Sequence, residues 1–78
     1  MDERVIQRQE ILNHIENYGS ITNLEATKKY GILSFPKRIS ELRRLGYDIE
    51  DEWITVKSPK GINGKKRVKR YFLGGTSE

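Results

Sequence analysis

Apolar residues in the first quarter of the chain recur at spacings of three, four and seven positions, the pattern of one buried helix face. These residues are Val5, Ile11, Leu12, Ile15 and Tyr18. They predict a helix from about Arg4 to Tyr18, ended by Gly19 in a left-handed conformation. Ile6 falls opposite this stripe, either as a lone exposed residue or as a contact for a partner. His14 lies on the flank of the stripe, where we expect it to be solvated.

A second, shorter helix is predicted by the segment Thr22-Asn23-Leu24-Glu25. Its spacing is that of a capping box, in which the Thr22 hydroxyl accepts from the Glu25 amide and the Glu25 carboxylate accepts from the Thr22 amide. The helix should continue to about Tyr30 and end at Gly31. The residues available for the core are Leu24, Tyr30 and either Ala26 or Thr27.

A third helix is predicted over residues 34–45, because four apolar residues keep helical spacing until Gly46. They are Phe35, Ile39, Leu42 and Leu45. Ser34 is a favourable N-cap, and Pro36 falls in the first turn, where its missing amide costs no hydrogen bond. A short helix, a turn containing glycine and a longer helix thus follow one another, which predicts a helix-turn-helix.

The remainder is rich in β-branched and aromatic residues and predicts two strands, Trp53 to Lys57 and Lys65 to Leu73. Asn63-Gly64 between them is a signal for a two-residue type I′ turn. In a hairpin closed by that turn, Ile54 lies opposite Leu73 and Val56 opposite Tyr71 on one face, and Lys57 lies opposite Arg70 and Thr55 opposite Phe72 on the other. Pro59 lies opposite Val68. A wider loop around residues 59–61 is the alternative. The acidic residues 48–52 are expected to form a loop.

This order of elements predicts an α+β fold, a winged helix-turn-helix with three helices followed by a β-hairpin wing, over residues 1–73. Residues 74–78 are small and polar, and we expect them to be a disordered tail. The chain of 78 residues contains no cysteine, so packing rather than disulfides must stabilise its one small core.

Charge is distributed unevenly along the chain. Residues 28–47 carry six basic side chains and one acidic side chain, and residues 53–73 carry seven basic and no acidic ones. Residues 1–27 and 48–52 have net charges of −3 and −4. The formal net charge is only +4, but the alternation of basic and acidic segments indicates one basic surface on an otherwise acidic body. Such a surface suits a polyanionic partner.

In this fold the third helix can enter the major groove of double-stranded DNA while the hairpin contacts the backbone or the minor groove. At about 100° per residue, Lys37 and Arg44 project away from the apolar stripe, with Ser40 and Glu41 on either side. We expect Glu41 to pair with Lys37 at the i, i+4 spacing. Its acceptance of a hydrogen bond from a cytosine amino group is the alternative.

The predicted DNA-binding surface includes residues beside that outward face. Arg38 and Arg43 flank the apolar stripe and either contact phosphates or pair with acidic neighbours such as Glu25. Trp53 and Phe72 lie on the hairpin face away from the core and are not expected to stack on bases. The predicted DNA-binding residues are Ser34, Lys37, Arg38, Ser40, Glu41, Arg43, Arg44, Lys60, Lys65, Lys66, Arg67 and Lys69.

The chain also resembles a family of small helix-turn-helix proteins common in bacteriophages and prophages. The resemblance covers roughly residues 9 to 73 and depends on short motifs spread over that length. They are Gly19-Ser20-Ile21-Thr22-Asn23-Leu24-Glu25-Ala26, Tyr30-Gly31-Ile32, Arg38-Ile39-Ser40-Glu41-Leu42-Arg43, Gly46-Tyr47-Asp48-Ile49 and Arg70-Tyr71-Phe72-Leu73. The resemblance implies a winged helix and DNA binding in a phage or mobile-element setting, but no defined task, because such domains serve as repressors, activators, antirepressor partners and excision factors. The function we predict is that of a sequence-specific DNA-binding regulator of transcription or excision.

The sequence offers little for catalysis. It has one histidine, no cysteine, no glycine-rich phosphate loop and no calcium-loop spacing. We therefore expect no enzymatic activity, no cofactor and no metal site. No apolar run approaches the roughly 20 residues of a membrane span, and the charged N-terminus is not that of a signal peptide. We expect a cytoplasmic protein, in the host cytoplasm or nucleoid if it is encoded by a phage.

Other functions stay open at this point. A homodimer, or a phage or host protein, is a further potential partner. The whole domain could instead be a protein-interaction module that uses the helix-turn-helix face or the acidic residues 48–52. Binding of RNA or single-stranded nucleic acid is disfavoured, because no pair of exposed aromatic residues is positioned for stacking.

Overall fold

The computed structural model describes residues 2–62 and 64–74, and for residues 59–62 it describes the backbone alone. Three helices and a three-stranded antiparallel sheet follow one another along the chain. The elements are α1 (Glu3–Tyr18), β1 (Ile21–Thr22), α2 (Asn23–Tyr30), α3 (Phe35–Arg44), β2 (Ile49–Ile62) and β3 (Lys65–Leu73). The predicted order of three helices and a hairpin is confirmed, and β1 is an additional short strand.

The helix ends follow the predicted chemistry in most places. Gly19 and Gly31 end α1 and α2 with φ angles of 89° and 66°, in the left-handed region that favours glycine. Both bonds of the capping box are formed: the Thr22 amide donates to Glu25 Oε1 at 2.9 Å, and the Glu25 amide donates to Thr22 Oγ1 at 3.2 Å. Ser34 is the N-cap residue of α3, as predicted, but its side chain forms no capping hydrogen bond.

The core lies between the middles of the helices and the start of the hairpin. Its buried apolar residues are Ile11, Ile15, Ile21, Ala26, Ile32, Phe35, Ile39, Leu42 and Ile49. Four residues predicted for the apolar helix faces, Val5, Tyr18, Leu24 and Leu45, are exposed instead. Each lies at or near the end of its helix, and the core of so small a domain reaches only the central turns.

His14 is buried rather than solvated, with only 2% of its surface exposed. Its Nδ1 lies 2.8 Å from the Tyr30 hydroxyl, and its ring packs against the ring of Tyr18 with centroids 4.6 Å apart. Because Tyr30 ends α2, this hydrogen bond fastens α1 to α2. The helical spacing placed His14 beside the stripe correctly, but α2 covers that flank.

The sheet has the order β1-β3-β2, and its hairpin register differs from the predicted one. Ile54 lies opposite Val68 instead of Leu73, and Val56 lies opposite Lys66 instead of Tyr71. The predicted pairing of Pro59 with Val68 is therefore wrong. Only the pair next to the turn, Ile62 and Lys65, fits a turn at residues 63 and 64.

The register changes at an irregularity between Lys57 and Ile62, both of which are aligned with Lys65. Relative to the predicted register, the β2 residue opposite each β3 residue is displaced by an odd number of positions. A side chain of β2 predicted to share a face with a given β3 side chain therefore lies on the opposite face of the hairpin. Gly64 has a φ of 72°, as a type I′ turn requires, and Asn63 lies outside the described residues.

The acidic residues after α3 are not a loop as predicted, because β2 begins at Ile49. Glu52 forms an ion pair with Arg70 of β3, and Asp51 forms one with Arg43 of α3. Basic partners on two other elements thus offset the charge that made this segment look like a loop. The amide of Gly74 donates to the Asp48 carbonyl at 2.9 Å, and the rest of the predicted tail lies outside the described residues.

None of the helices in the described part of the chain is both long and apolar enough to cross a membrane.

Candidate nucleic-acid interface

The outward face of α3 presents two cations and a hydroxyl. Lys37, Ser40 and Arg44 are exposed, and the buried residues of the helix lie on its other side. Neither Lys37 nor Arg44 forms an ion pair with any residue that the structure describes. These two side chains are thus available to an external anion.

Glu41 turns toward α1 and does not pair with Lys37, contrary to the prediction. Arg8 Nη1 donates to Glu41 Oε1 at 2.7 Å, and Arg38 Nε lies 3.2 Å from the same oxygen. The hydrogen bond from Arg8, with the positive charges of Arg38, Arg8 and Arg4, lowers the pKa of the Glu41 carboxyl below its ordinary value. Glu41 is therefore a carboxylate that fastens α3 to α1.

Arg38 belongs to the same internal cluster. It is only 7% exposed, and its buried Nε has no hydrogen-bond partner among the described residues, although the Glu41 carboxylate is close. A cation in that position needs the carboxylate beside it, because burial of an unpaired charge is costly. Arg38 and Glu41 thus hold the helix in place and do not face outward.

Arg43 joins α3 to the first strand of the hairpin. Its Nε donates to the Ile49 carbonyl at 3.0 Å, and its Nη2 donates to Asp51 Oδ2 at 3.0 Å. The suggested partner Glu25 is engaged elsewhere, in the capping box of α2. Half of the basic residues of α3 therefore orient the helix, and the other half remain free.

The hairpin distributes its cations unequally between its two faces. Cross-strand partners share a face, and side chains alternate along each strand. The pairs Lys57–Lys65, Thr55–Arg67 and Trp53–Lys69 therefore lie on one face, which we call the basic wing face. Lys66 lies on the other face, opposite Val56. Lys65, Lys66 and Arg67 are exposed.

Trp53 lies on the basic wing face, contacts two of its cations and is 57% exposed. Arg67 Cζ lies 5.1 Å and Lys69 Nζ 5.2 Å from the centroid of its ring, which is the geometry of cation–π contacts. Lys69 Nζ also lies 3.9 Å from Asp51 Oδ1. The observed register places Lys69 directly opposite Trp53.

The wing and α3 adjoin each other at the N-terminal turn of the helix. Pro36, Lys57, Lys66 and Lys69 line one groove beside the first turn of α2. The next residue along α3 is the exposed Lys37. A polyanion that follows the outward face of α3 would therefore meet the basic hairpin beyond this end of the helix.

Ser34 and Lys60 are the remaining residues that the sequence predicted to bind DNA. Ser34 is exposed, and its hydroxyl does not cap α3. The side chain of Lys60 lies outside the described residues. Sequence reasoning missed Lys57, which only the register places beside Lys65, and Arg8, which lies 33 residues from Glu41 in the chain.

No group of three or more histidine, cysteine or acidic side chains in residues 2–62 and 64–74 could hold a metal ion. A family model described as a winged helix-turn-helix domain matches residues 6–76 of the chain. No curated protein and no solved structure matches it.

Proposed function

The chain belongs to the winged helix-turn-helix domain family, and we propose that it binds double-stranded DNA in a sequence-specific manner without catalysis. In this proposal α3 enters the major groove, and the hairpin lies on the adjoining backbone. The observation that carries the proposal is the division of the cations of α3. Arg38 pairs with Glu41, which Arg8 of α1 also binds, and Arg43 fixes the helix to β2. Lys37 and Arg44 face outward and form no ion pair with a described residue.

Rigid support matters for this task, because base recognition depends on side chains held at defined positions against the groove. Arg44 can bond to two acceptors of one guanine, and Lys37 and Ser40 lie on the same side of the helix. Ser34 has a free hydroxyl at the start of α3 and is proposed to contact a phosphate.

The basic wing face supplies contacts that do not depend on sequence. Lysine and arginine side chains on a hairpin neutralise phosphates, and this fixes the position of the domain on the duplex. We assign this role to Lys57, Lys65, Arg67 and Lys69 of that face. Lys66, on the opposite face of the hairpin, and Lys60 are further candidates.

The proposed biological role is regulation of transcription or excision in a bacteriophage, prophage or other mobile element. It is supported by the sequence resemblance to small phage helix-turn-helix proteins. Selection of bound sequences from a random duplex pool would identify the operator. An enriched palindrome would indicate that two copies bind together, since operator symmetry mirrors protein symmetry.

Salt dependence tests the DNA proposal directly. If Lys37, Arg44 and three or four wing cations neutralise about five phosphates, log K should fall with log salt at a slope of about −4 to −5. Fluorescence anisotropy of a labelled duplex at graded salt gives this slope. A slope between zero and about −1 would contradict the proposal, because the exposed cations would then meet no polyanion.

A further inference from the structure

A groove of about 980 Å³ runs between the first turn of α2 and the hairpin. Much of its lining is apolar, contributed by Leu24, Phe35, Pro36, Trp53, Ile54, Val56, Val68 and Tyr71. Leu24 and Trp53 are 54% and 57% exposed, so their apolar surface faces the open groove. Adjoining exposed apolar residues of this kind mark interaction sites more often than single ones do.

The same groove borders an open edge of the sheet. β1 pairs with β3 only at Ile21–Tyr71 and Thr22–Arg70, because α2 begins at Asn23 and carries the chain away. Along residues 65–69, no strand in the described part of the chain pairs with β3 on the side away from β2. Alternate residues there present unpaired backbone N–H and C=O groups, which can accept another strand.

Charge around the groove favours an acidic occupant. Lys57, Lys66 and Lys69 belong to its lining. Among the described residues of that lining, Glu25 alone is acidic, and its carboxylate already accepts from the Thr22 amide. Lys57 and Lys69 lie on one face of the hairpin, and Val56 and Val68 lie on the other. Successive side chains of an added strand would therefore point alternately toward the face with these lysines and the face with these valines. The groove therefore matches a strand in which apolar and acidic residues alternate.

We propose that this groove binds an extended segment of a partner protein in which acidic and apolar residues alternate. The segment pairs with residues 65–69 of β3, beyond the point where β1 ends, and so continues the sheet. This is strand addition, in which backbone hydrogen bonds give affinity and side-chain pockets give specificity. DNA is a poorer occupant, because its phosphates satisfy the lysines but leave Leu24, Val56 and Val68 uncovered.

Strand addition at this groove goes beyond DNA binding and would regulate it, a consequence that rests on the proposed DNA-binding function. Lys57, Lys66 and Lys69 belong both to the groove and to the proposed phosphate contacts of the wing. A bound acidic strand would occupy these cations, so peptide and duplex should compete. A partner carrying such a segment would release the protein from DNA.

Synthetic peptides test the proposal on the intact chain. The probe is a fluorescein-labelled nine-residue peptide of alternating valine and glutamate, and the controls are its valine–lysine counterpart and a glutamate peptide N-methylated at alternate amides. We expect micromolar binding of the glutamate peptide and at least about 10-fold weaker binding of both controls, with slowed amide exchange in residues 65–69. The glutamate peptide should also lower duplex affinity at least about fivefold.

Two matched variants locate the site. Leu24→Asp should weaken peptide binding about 10-fold or more, whereas Leu33→Asp should leave it unchanged, because Leu33 is 83% exposed and lies outside the groove lining. Circular dichroism checks that both variants fold.

Four results would overturn the proposal. Equal binding of the lysine peptide would exclude charge selection, and equal binding of the N-methylated peptide would exclude strand addition. Loss of duplex binding alone in Leu24→Asp would make the groove part of the DNA site. Loss of self-association in that variant, without an effect on the peptide, would identify a second copy as the occupant. The first two results leave the DNA proposal intact, because the salt slope tests that proposal separately.

Discussion

The helix α3 and the hairpin both carry a surplus of positive charge, yet they hold it in different ways. In α3, Arg38 and Arg43 are engaged with Glu41, Asp51 and a backbone carbonyl. Lys37 and Arg44 form no ion pair with any residue in the described part of the chain. In the hairpin, Lys65, Lys66 and Arg67 remain exposed. A count of basic residues therefore overestimates the number of cations available to DNA wherever an element is packed against the body of the protein.

This difference implies a division of labour. The few free cations of α3 stand on a helix fixed by ion pairs on two sides, which suits recognition of particular bases. The cations of the hairpin are numerous and are supported by cation–π contacts with Trp53, which suits contact with a uniform backbone.

Simultaneous substitution of Lys65, Lys66 and Arg67 by alanine should weaken binding to preferred and random duplexes by a similar factor, roughly 100-fold near 0.15 M salt. The salt slope should become shallower by about 2.7, because three phosphate contacts are lost. Competition binding at two salt concentrations measures both quantities. A selective loss at the preferred site would make the hairpin the element that recognises sequence.

Arg44→Ala should weaken binding to a preferred duplex about 10-fold more than binding to random DNA, because a bidentate base contact is removed. Lys28→Ala is the matched control, since it removes one exposed charge from α2 and should leave the ratio of the two affinities unchanged. The same competition assay measures this ratio. A retained ratio in Arg44→Ala would remove this residue from base recognition.

Thr22→Ala should lower the free energy of unfolding by about 1 kcal/mol, because it removes one half of the capping box. Thr22→Ser keeps the hydroxyl and should recover most of the loss. DNA affinity at a fixed folded concentration should hardly change. Urea unfolding and anisotropy give the two quantities, and lost affinity at full stability would place Thr22 at a phosphate.

The smallest expected effect is the contribution of Glu41 to the pH dependence of the free energy of unfolding. Its pKa is lowered in the folded state, so its stabilising effect is fully present above the ordinary value of 4.5 and is lost as the pH falls through the lower folded value. Glu41→Gln should remove this part of the acid dependence. Urea midpoints from about pH 6 to about pH 3 measure it, with Glu16→Gln as control. An unchanged acid profile in Glu41→Gln would contradict the proposed ion pair.

Local sequence signals predicted the elements well. Glycine after each of the first two helices and the capping box at Thr22 depend on interactions within a few residues, and the structure confirms them. The apolar spacing of α3 is confirmed for Phe35, Ile39 and Leu42 but not for Leu45. The outward direction of Lys37 and Arg44 also followed from helical periodicity alone. Their role at DNA stays a prediction.

Tertiary structure decided how those elements meet. His14 is buried because α2 covers the flank of α1, and Glu41 pairs with Arg8 rather than Lys37 because α1 brings a guanidinium closer. The hairpin register depends on an irregularity between Lys57 and Ile62. The alternative of a wider loop around residues 59–61 marked this stretch, but local signals could not set the pairing beyond it. Short-range patterns fix the helices and their caps, because those interactions lie within one or two turns. The partners of Glu41, His14 and β3 are distant in sequence, so only the packed fold could select them.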